Sequence, residues 1–174
     1  LVAAVVHRIV IGDAATADAD LAAKICQHFG VQDRADLARL AATSGEQPRD
    51  QFIREYGRLA PVVTAAAADG SPLARRVCDD AVEVAAVSIR LVGSQFESRP
   101  IQVGLIGSVL EAPYVSDRLS TVLARDAANN FAIDQPRLAP EAGAVLMALA
   151  QCNIPLSKSV FERLTPRAET MIQP

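Results

Sequence analysis

The residues best placed to do chemistry form a small turn at the end of a predicted strand. Ile101 to Ile106 is a short, nearly continuous apolar run, which is typical of a parallel strand buried on both faces. Gly107 and Ser108 follow it directly, at the carboxyl end where open α/β sheets place their ligands. The turn could therefore contact a phosphate or a nucleotide. Tight packing between the strand and the next helix would require the same small residues, and the segment taken alone favours packing.

The histidines and paired aspartates have no recognisable catalytic or metal-binding spacing. His7 and His28 lie in predicted helices without an HExxH-type or clustered acidic context, so we expect them at helix surfaces or in the core. Asp79-Asp80 and the pair Asp33 and Asp36 are expected to cap helices or to face solvent. A GxSxG elbow, a Walker A loop and a GxGxxG fingerprint are also missing. The residues alone identify no catalytic residue and no metal ligand.

Composition limits the classes of protein to which the chain can belong. Its 174 residues correspond to one domain or one lobe of a larger protein, and 51% hydrophobic residues can bury a substantial core. A net charge of -3 and 4% aromatic residues without tryptophan disfavour nucleic acid and anionic membranes as partners. Cys26, Cys78 and Cys152 are widely separated and odd in number. We expect them to be reduced thiols, buried or partly buried, in a cytoplasmic protein.

Helical periodicity dominates the rest of the chain. Ser71-Pro72 starts the longest predicted helix, which extends to about Phe96 and has an apolar band too wide for a surface helix. We expect this helix to be sandwiched between layers, and we expect a second short strand at Phe131–Ile133. The predicted fold class is α/β, mostly helical, with a long central helix and two short strands.

Capping and glycine signals place the other helices at 1–11, 18–29, 33–40, 50–56, 59–68, 113–126, 141–150 and 157–164, with a polar loop at 43–48 and a mobile tail from 166. Gly12 is expected to end the first of these helices, Asp18 or Asp20 to cap the second, and Asp33 to cap the third. The helix at 113–126 has an apolar face formed by Val115, Leu119, Val122 and Leu123.

Two small-residue motifs carry a resemblance to a known family. The first is Gly107-Ser108-Val109-Leu110, followed by a helix that contains Ser116-Asp117-Arg118-Leu119, and the second is PEAGAVLMAL from Pro140 to Leu149. Over nearly its whole length the chain resembles the closing part of the BadF/BadG/BcrA/BcrD-type ATPase family, which includes N-acetylglucosamine kinases. The upstream segments that follow the family's order are Gly12-Asp13, Phe29-Gly30-Val31, Leu59-Ala60-Pro61 and the stretch from Asp69 to Ala74.

The resemblance implies a partial ribonuclease-H-like lobe of the actin-like ATPase superfamily. In that arrangement two lobes close on ATP, Mg²⁺ lies on its phosphates, and Gly107, Ser108 and Val109 lie against the adenosine. The helix after the turn directs its N-terminus at the nucleotide. The small residues around Gly143 begin a helix that packs behind the site and permit close backbone approach. Residues 1–174 would then form the carboxyl-terminal lobe, with the amino-terminal lobe absent.

Several parts of the family's site are missing from this sequence. It has no phosphate loop of the type DGGxTK, no aspartate to act as base on the sugar hydroxyl and no GDEGSGxxxG segment. Leu1 begins within a helical pattern, as a cut end would, and Ile106 stands where relatives frequently have the first glycine of a pair. We expect this fragment to be inactive by itself, since the catalytic residues and most Mg²⁺ contacts would belong to the other lobe.

Three functions are compatible with these observations. The first is an ATP-dependent kinase that transfers the γ-phosphoryl group to a sugar hydroxyl, on N-acetylglucosamine or a related amino sugar. The second is a BadF-type ATPase that activates a partner enzyme, although the scattered cysteines do not resemble its iron-sulfur ligands. The third is a non-catalytic helical interaction domain. A homodimer would suit the Ala-rich helical faces, and the sequence identifies neither the phosphate acceptor nor the oligomeric state.

Overall fold

The computed structural model describes residues 1–43, 49–134, 136 and 138–165. Two compact units are present: the first comprises Leu1–Val103 with Gly107–Ile133, and the second comprises 104–106 with the described part of 134–174. The chain is α/β and mostly helical, as the sequence predicts. None of the helices in these ranges combines the length and the apolar character that crossing a bilayer requires. The predicted loop beyond Thr43 and the predicted tail from Pro166 lie outside the described residues.

The described elements follow the predicted order closely. A single 3-10 turn, Thr16–Asp18, precedes the second helix, and the two strands pair in a parallel two-stranded sheet. The elements are α1 (Val2–Val10), α2 (Ala19–Phe29), α3 (Arg34–Thr43), α4 (Arg49–Gly57), α5 (Ala60–Ala68), α6 (Pro72–Gly93), β1 (Ile101–Gly104), α7 (Pro113–Ala124), β2 (Phe131–Asp134), α8 (Pro140–Gln151) and α9 (Lys158–Leu164).

Helix ends are set by the glycines and capping residues that the sequence indicates. Gly12 ends α1 with a φ of +85°, a conformation that glycine adopts at little cost. Asp33 starts α3, because its Oδ1 accepts the Asp36 N–H at 2.8 Å. Ser71 caps α6 in the same way, with its Oγ accepting the Ala74 N–H at 3.1 Å. These three predictions are confirmed.

The long helix α6 lies at the centre of the first unit. The helices α1, α5 and α7 all pack against it. Helix α7 contributes the four buried residues that the spacing predicts, namely Val115, Leu119, Val122 and Leu123. The residues that α6 itself buries are Leu73, Ala74, Val77, Cys78, Val82, Ala86 and Gly93.

The prediction that α6 is sandwiched between layers is wrong for its second half. Four residues, which we call the α6 stripe, are exposed by 69%, 59%, 70% and 60%: Val84, Val87, Leu91 and Val92. Val77 lies on the same face, seven residues before Val84, and is only 3% exposed. The face is therefore covered near the start of the helix, and no described element covers it further along.

The strand prediction also needs correction. Strand β1 ends at Gly104, and its burial alternates: Ile101 is buried, Gln102 is exposed and Val103 is half-buried. Ile106, which we predicted to lie in the buried run, is 53% exposed. Alternating burial is typical of a strand with one covered face, because successive side chains point to opposite sides of the sheet. A continuous apolar run does not reveal which face is covered.

Close packing between α6 and the sheet depends on Gly93. A Cβ atom at this position would lie 2.8 Å from Cε1 of Phe131 and 3.3 Å from Cδ1 of Ile101. We predict that Gly93→Ala lowers the free energy of unfolding by about 1–3 kcal/mol, the usual cost of an overpacked core. Chemical denaturation provides the measurement. Gly57→Ala is the matched control, since a Cβ there meets no described atom within 4 Å, and equal destabilisation by both variants would contradict the packing argument.

Candidate functional site

The predicted ligand turn is an exposed loop between β1 and α7. Gly107 has a φ of +102°, and its carbonyl oxygen accepts the Glu111 N–H at 3.0 Å. Gly107 and Ser108 are exposed, and Val109 is half-buried. The three residues predicted to contact adenosine therefore lie together at the surface of the first unit.

The backbone conformation explains why glycine occupies position 107. Side chains other than glycine are strained at a φ near +100°. A Cβ atom there would meet no described atom within 4 Å, so close packing between strand and helix does not account for the glycine. Free space is also found at Gly143 in α8, where a Cβ atom would meet no described atom within 4 Å. The expected close backbone approach at Gly143 is therefore wrong within the described part of the chain.

Glu111 contributes to the turn, although sequence reasoning did not single it out. Its Oε1 accepts the Gly107 N–H at 3.2 Å, and its own N–H donates to the Gly107 carbonyl oxygen. These two bonds close the loop on itself. An acidic residue four positions after a turn glycine was the available signal. Helix α7 begins two residues later at Pro113, and its Ala112 N-cap provides no side-chain hydrogen bond.

Four side chains join the start of α7 to α6, and we call them the Asp79 cluster. Asp79 Oδ1 accepts hydrogen bonds from the Tyr114 hydroxyl at 3.1 Å and from Arg118 Nε at 2.9 Å. The Arg75 guanidinium lies 5.7 Å from the centre of the Tyr114 ring. Burial raises the pKa of Tyr114, and its hydrogen bond to Asp79 raises that pKa further. The role of Asp79 is therefore structural, but the expectation that it caps a helix or faces solvent is wrong, because it lies within α6, is half-buried and binds two side chains of α7. Asp80 is exposed, as predicted.

Asp18 is the most deeply buried charged group of the first unit's described residues. It is 1% exposed, and its Oδ1 accepts the Ser71 hydroxyl at 2.7 Å and the Leu73 N–H at 3.0 Å. Its Oδ2 accepts the Ala15 N–H at 2.9 Å. Burial alone would raise the pKa of Asp18, but these three donors outweigh burial and lower it. Of the two predicted caps of α2, Asp18 and Asp20, Asp18 occupies the N-cap position, but its side chain makes no capping hydrogen bond to α2 and instead binds the start of α6.

A pocket of about 400 Å³ opens beside Asp18. Two of its charged lining residues pair with each other, since Arg76 Nη2 lies 3.2 Å from Asp13 Oδ2, and Arg8 Nη1 lies 2.9 Å from the same oxygen. The hydrogen bond from Arg8 is the main reason that the pKa of Asp13 is lowered. Every buried side-chain nitrogen and oxygen of the described residues has a hydrogen-bond partner. The pocket therefore presents a satisfied structural network rather than a free reactive group.

Metal-ligating residues are scattered. Among the described residues no group of three or more His, Cys, Asp or Glu side chains is arranged to hold a metal ion. Cys78 is buried and Cys26 is half-buried, as predicted, but Cys152 is exposed, which corrects the expectation for that residue. Burial and the neighbouring Asp79 raise the pKa of Cys78 to about 11.

Comparison with protein families, with characterised proteins and with solved structures yields no match for this chain.

We predict that Asp18→Asn lowers the free energy of unfolding by about 2 kcal/mol at pH 7, since an amide group would face the Ala15 N–H donor. Because the folded-state pKa is depressed, the stability that Asp18 provides is present above its unfolded pKa of about 3.9. It is lost as the pH falls through the lower folded value. Urea denaturation between pH 2 and pH 7 measures both effects.

Asp20→Asn is the matched control for Asp18, because Asp20 is exposed in the first turn of α2. Its expected cost is at most about 0.5 kcal/mol. A similar loss in both variants, or an unchanged acid dependence in Asp18→Asn, would contradict the role assigned to the buried carboxylate.

Thiol accessibility gives a separate prediction. At pH 8 we expect Cys152 to react first with a disulfide reagent, and Cys78 to react only on unfolding, since a pKa of about 11 leaves roughly one thiolate in a thousand. The reaction is followed by the absorbance of the released thiolate. Cys152→Ser should remove the fast phase alone, and a fast phase that survives this substitution would contradict the assignment.

Proposed function

We propose that this chain is the adenosine-side lobe of an ATP-dependent kinase that phosphorylates a sugar hydroxyl, with N-acetylglucosamine or a related amino sugar as the acceptor. The observation that carries the proposal is the open turn at Gly107, which follows a parallel strand and has free space where a side chain would be. It agrees with the likeness of the Gly107–Leu110 motif to BadF-type ATPases. A ribonuclease-H-like lobe and a cytoplasmic location belong to the same proposal.

In this proposal the turn recognises the nucleoside part of ATP. Gly107 and Ser108 are exposed residues, and a Cβ atom at Gly107 would meet no described atom within 4 Å, so a planar base or a ribose can approach the backbone there without displacing a side chain. Val109 provides an apolar contact beside them. Phosphate and Mg²⁺ binding, and abstraction of the sugar proton, are assigned to the other lobe. Closing of the two lobes would exclude water and favour transfer to the sugar over hydrolysis.

A second candidate, a helical interaction domain, is favoured by the α6 stripe. Four neighbouring aliphatic residues that are each at least 59% exposed form an unusual apolar surface on a helix. The partner that we propose for this face is a second copy of the chain. This candidate requires no nucleotide, and the ATP titration described next separates the two.

Binding of ATP to the purified chain tests the first proposal. We expect saturable binding in an NMR-monitored titration with Mg²⁺ and ATP, with the largest shifts at the amides of Gly107, Ser108 and Val109. Ser108→Leu should weaken binding about tenfold, the equivalent of about 1.4 kcal/mol, because it places bulk where the nucleoside approaches. Gly107 itself is unsuitable for substitution, since its φ of +102° would strain any other residue.

Ser94→Leu is the matched control, because Ser94 is an exposed serine directly after α6. It should bind ATP as the unmodified chain does. An unmodified chain that shows no saturable shifts, or a Ser108→Leu variant that binds equally well, would overturn the adenosine assignment.

A further inference from the structure

The Asp79 cluster fixes the point at which the chain leaves the turn and enters α7. Tyr114 is the second residue of α7 and Arg118 lies one turn later, so both can reach the same oxygen of Asp79, at 3.1 Å and 2.9 Å. Arg75 extends the connection to a third helix, since its Nε donates to the carbonyl oxygen of Ala67 in α5 at 2.8 Å. The start of α7 is therefore attached to two helices.

The hydrogen bonds that the described residues of the turn make are almost all internal. Glu111 N–H donates to the Gly107 carbonyl at 3.0 Å, and Ala112 N–H donates to the Val109 carbonyl at 3.3 Å. The carbonyl of Ala112 in turn accepts the Ser116 N–H at 2.9 Å, which joins the turn to the first turn of α7. Bonds of this kind preserve the shape of the loop but do not orient it. Its orientation depends on β1 at one end and on the start of α7 at the other.

We infer that Asp79, Tyr114 and Arg118 are positioning residues that hold the Gly107–Ala112 turn in the conformation that meets adenosine. They act through α7 and do not touch the nucleotide. The expected effect of this cluster on ATP affinity rests on the proposed function, whereas its expected effect on the conformation of the turn does not. Loss of one bond to Asp79 should therefore loosen the turn locally while the centre of α6 stays intact.

Hydrogen exchange of backbone amides measures this loosening directly. In Tyr114→Phe, which keeps the ring and removes only the hydroxyl, we expect the Glu111 and Ala112 amides to exchange about tenfold faster. Amides of α6 between Val77 and Ala86 should keep their rates. Arg118→Gln is a second variant with the same expected pattern. Asp117→Asn is the control, since this exposed neighbour on α7 should leave all rates unchanged.

Two exchange results would overturn the positioning role. One is unchanged exchange of the turn amides in both cluster variants. The other is an equal acceleration in the turn and in α6, which would mean that the cluster contributes only to global stability. Asp79→Asn gives a further discrimination, because it retains an acceptor oxygen and should loosen the turn less than Asp79→Ala does.

Titration of the same variants with ATP and Mg²⁺ completes the test. We expect Tyr114→Phe to bind ATP about tenfold more weakly and Asp117→Asn to bind it normally. If the turn loosens and ATP affinity does not change, the cluster does not position the turn for the nucleotide. If the unmodified chain binds no ATP, the proposed function fails, and the exchange data still decide whether the cluster holds the turn.

Discussion

A single buried carboxylate, that of Asp18, determines where the central helix begins. Burying an ionised aspartate is unfavourable unless its oxygens are hydrogen-bonded, and the first N–H groups of a helix have no acceptor within the helix. Both requirements are met at the start of α6, because Asp18 accepts hydrogen bonds from the Leu73 N–H and the Ser71 hydroxyl. Ser71 is at the same time the cap of α6. Since α1, α5 and α7 all pack against α6, the register of their contacts depends on this one starting point.

Helix α6 also holds α7 near both of its ends. Near the beginning of α7, Asp79 of α6 binds Tyr114 and Arg118. Near the end of α7, Arg90 of α6 donates to Asp126 Oδ2 at 3.3 Å and to the Val122 carbonyl at 3.2 Å. These bonds are partly exposed, so each contributes modestly. Two attachments separated along a helix nevertheless suppress both its rotation and its sliding. A loop that leads directly into such a helix is held in a defined position. Recognition of a ligand by backbone atoms would require such a position.

Local signals in the sequence predicted most of the helices, whereas long-range features could not be predicted. Gly12, Asp33 and Ser71 act within a few residues of their own positions, so their effect is visible in the sequence. The burial of β1 and of the α6 stripe depends on which elements pack nearby, and a run of apolar residues carries no information about that. Asp18 illustrates the same limit: its spacing suggested a cap for α2, but its partners Ser71 and Leu73 are 53 and 55 residues away. Of the candidate site, the glycine turn was visible, and the Asp79 cluster that supports it was not.

The Asp79 cluster, which supports the Gly107 turn, and the exposed α6 stripe lie on different sides of the same helix. Asp79 and Val84 are five residues apart, which places them about 140° from each other around the helix axis. The Asp79 side contacts α7, which follows the Gly107 turn, whereas a partner on the stripe would contact the far side of α6. The two sets of residues therefore do not overlap. Substitutions in the Asp79 cluster and substitutions in the α6 stripe should therefore have separate effects, because the two sets of residues lie on different sides of α6.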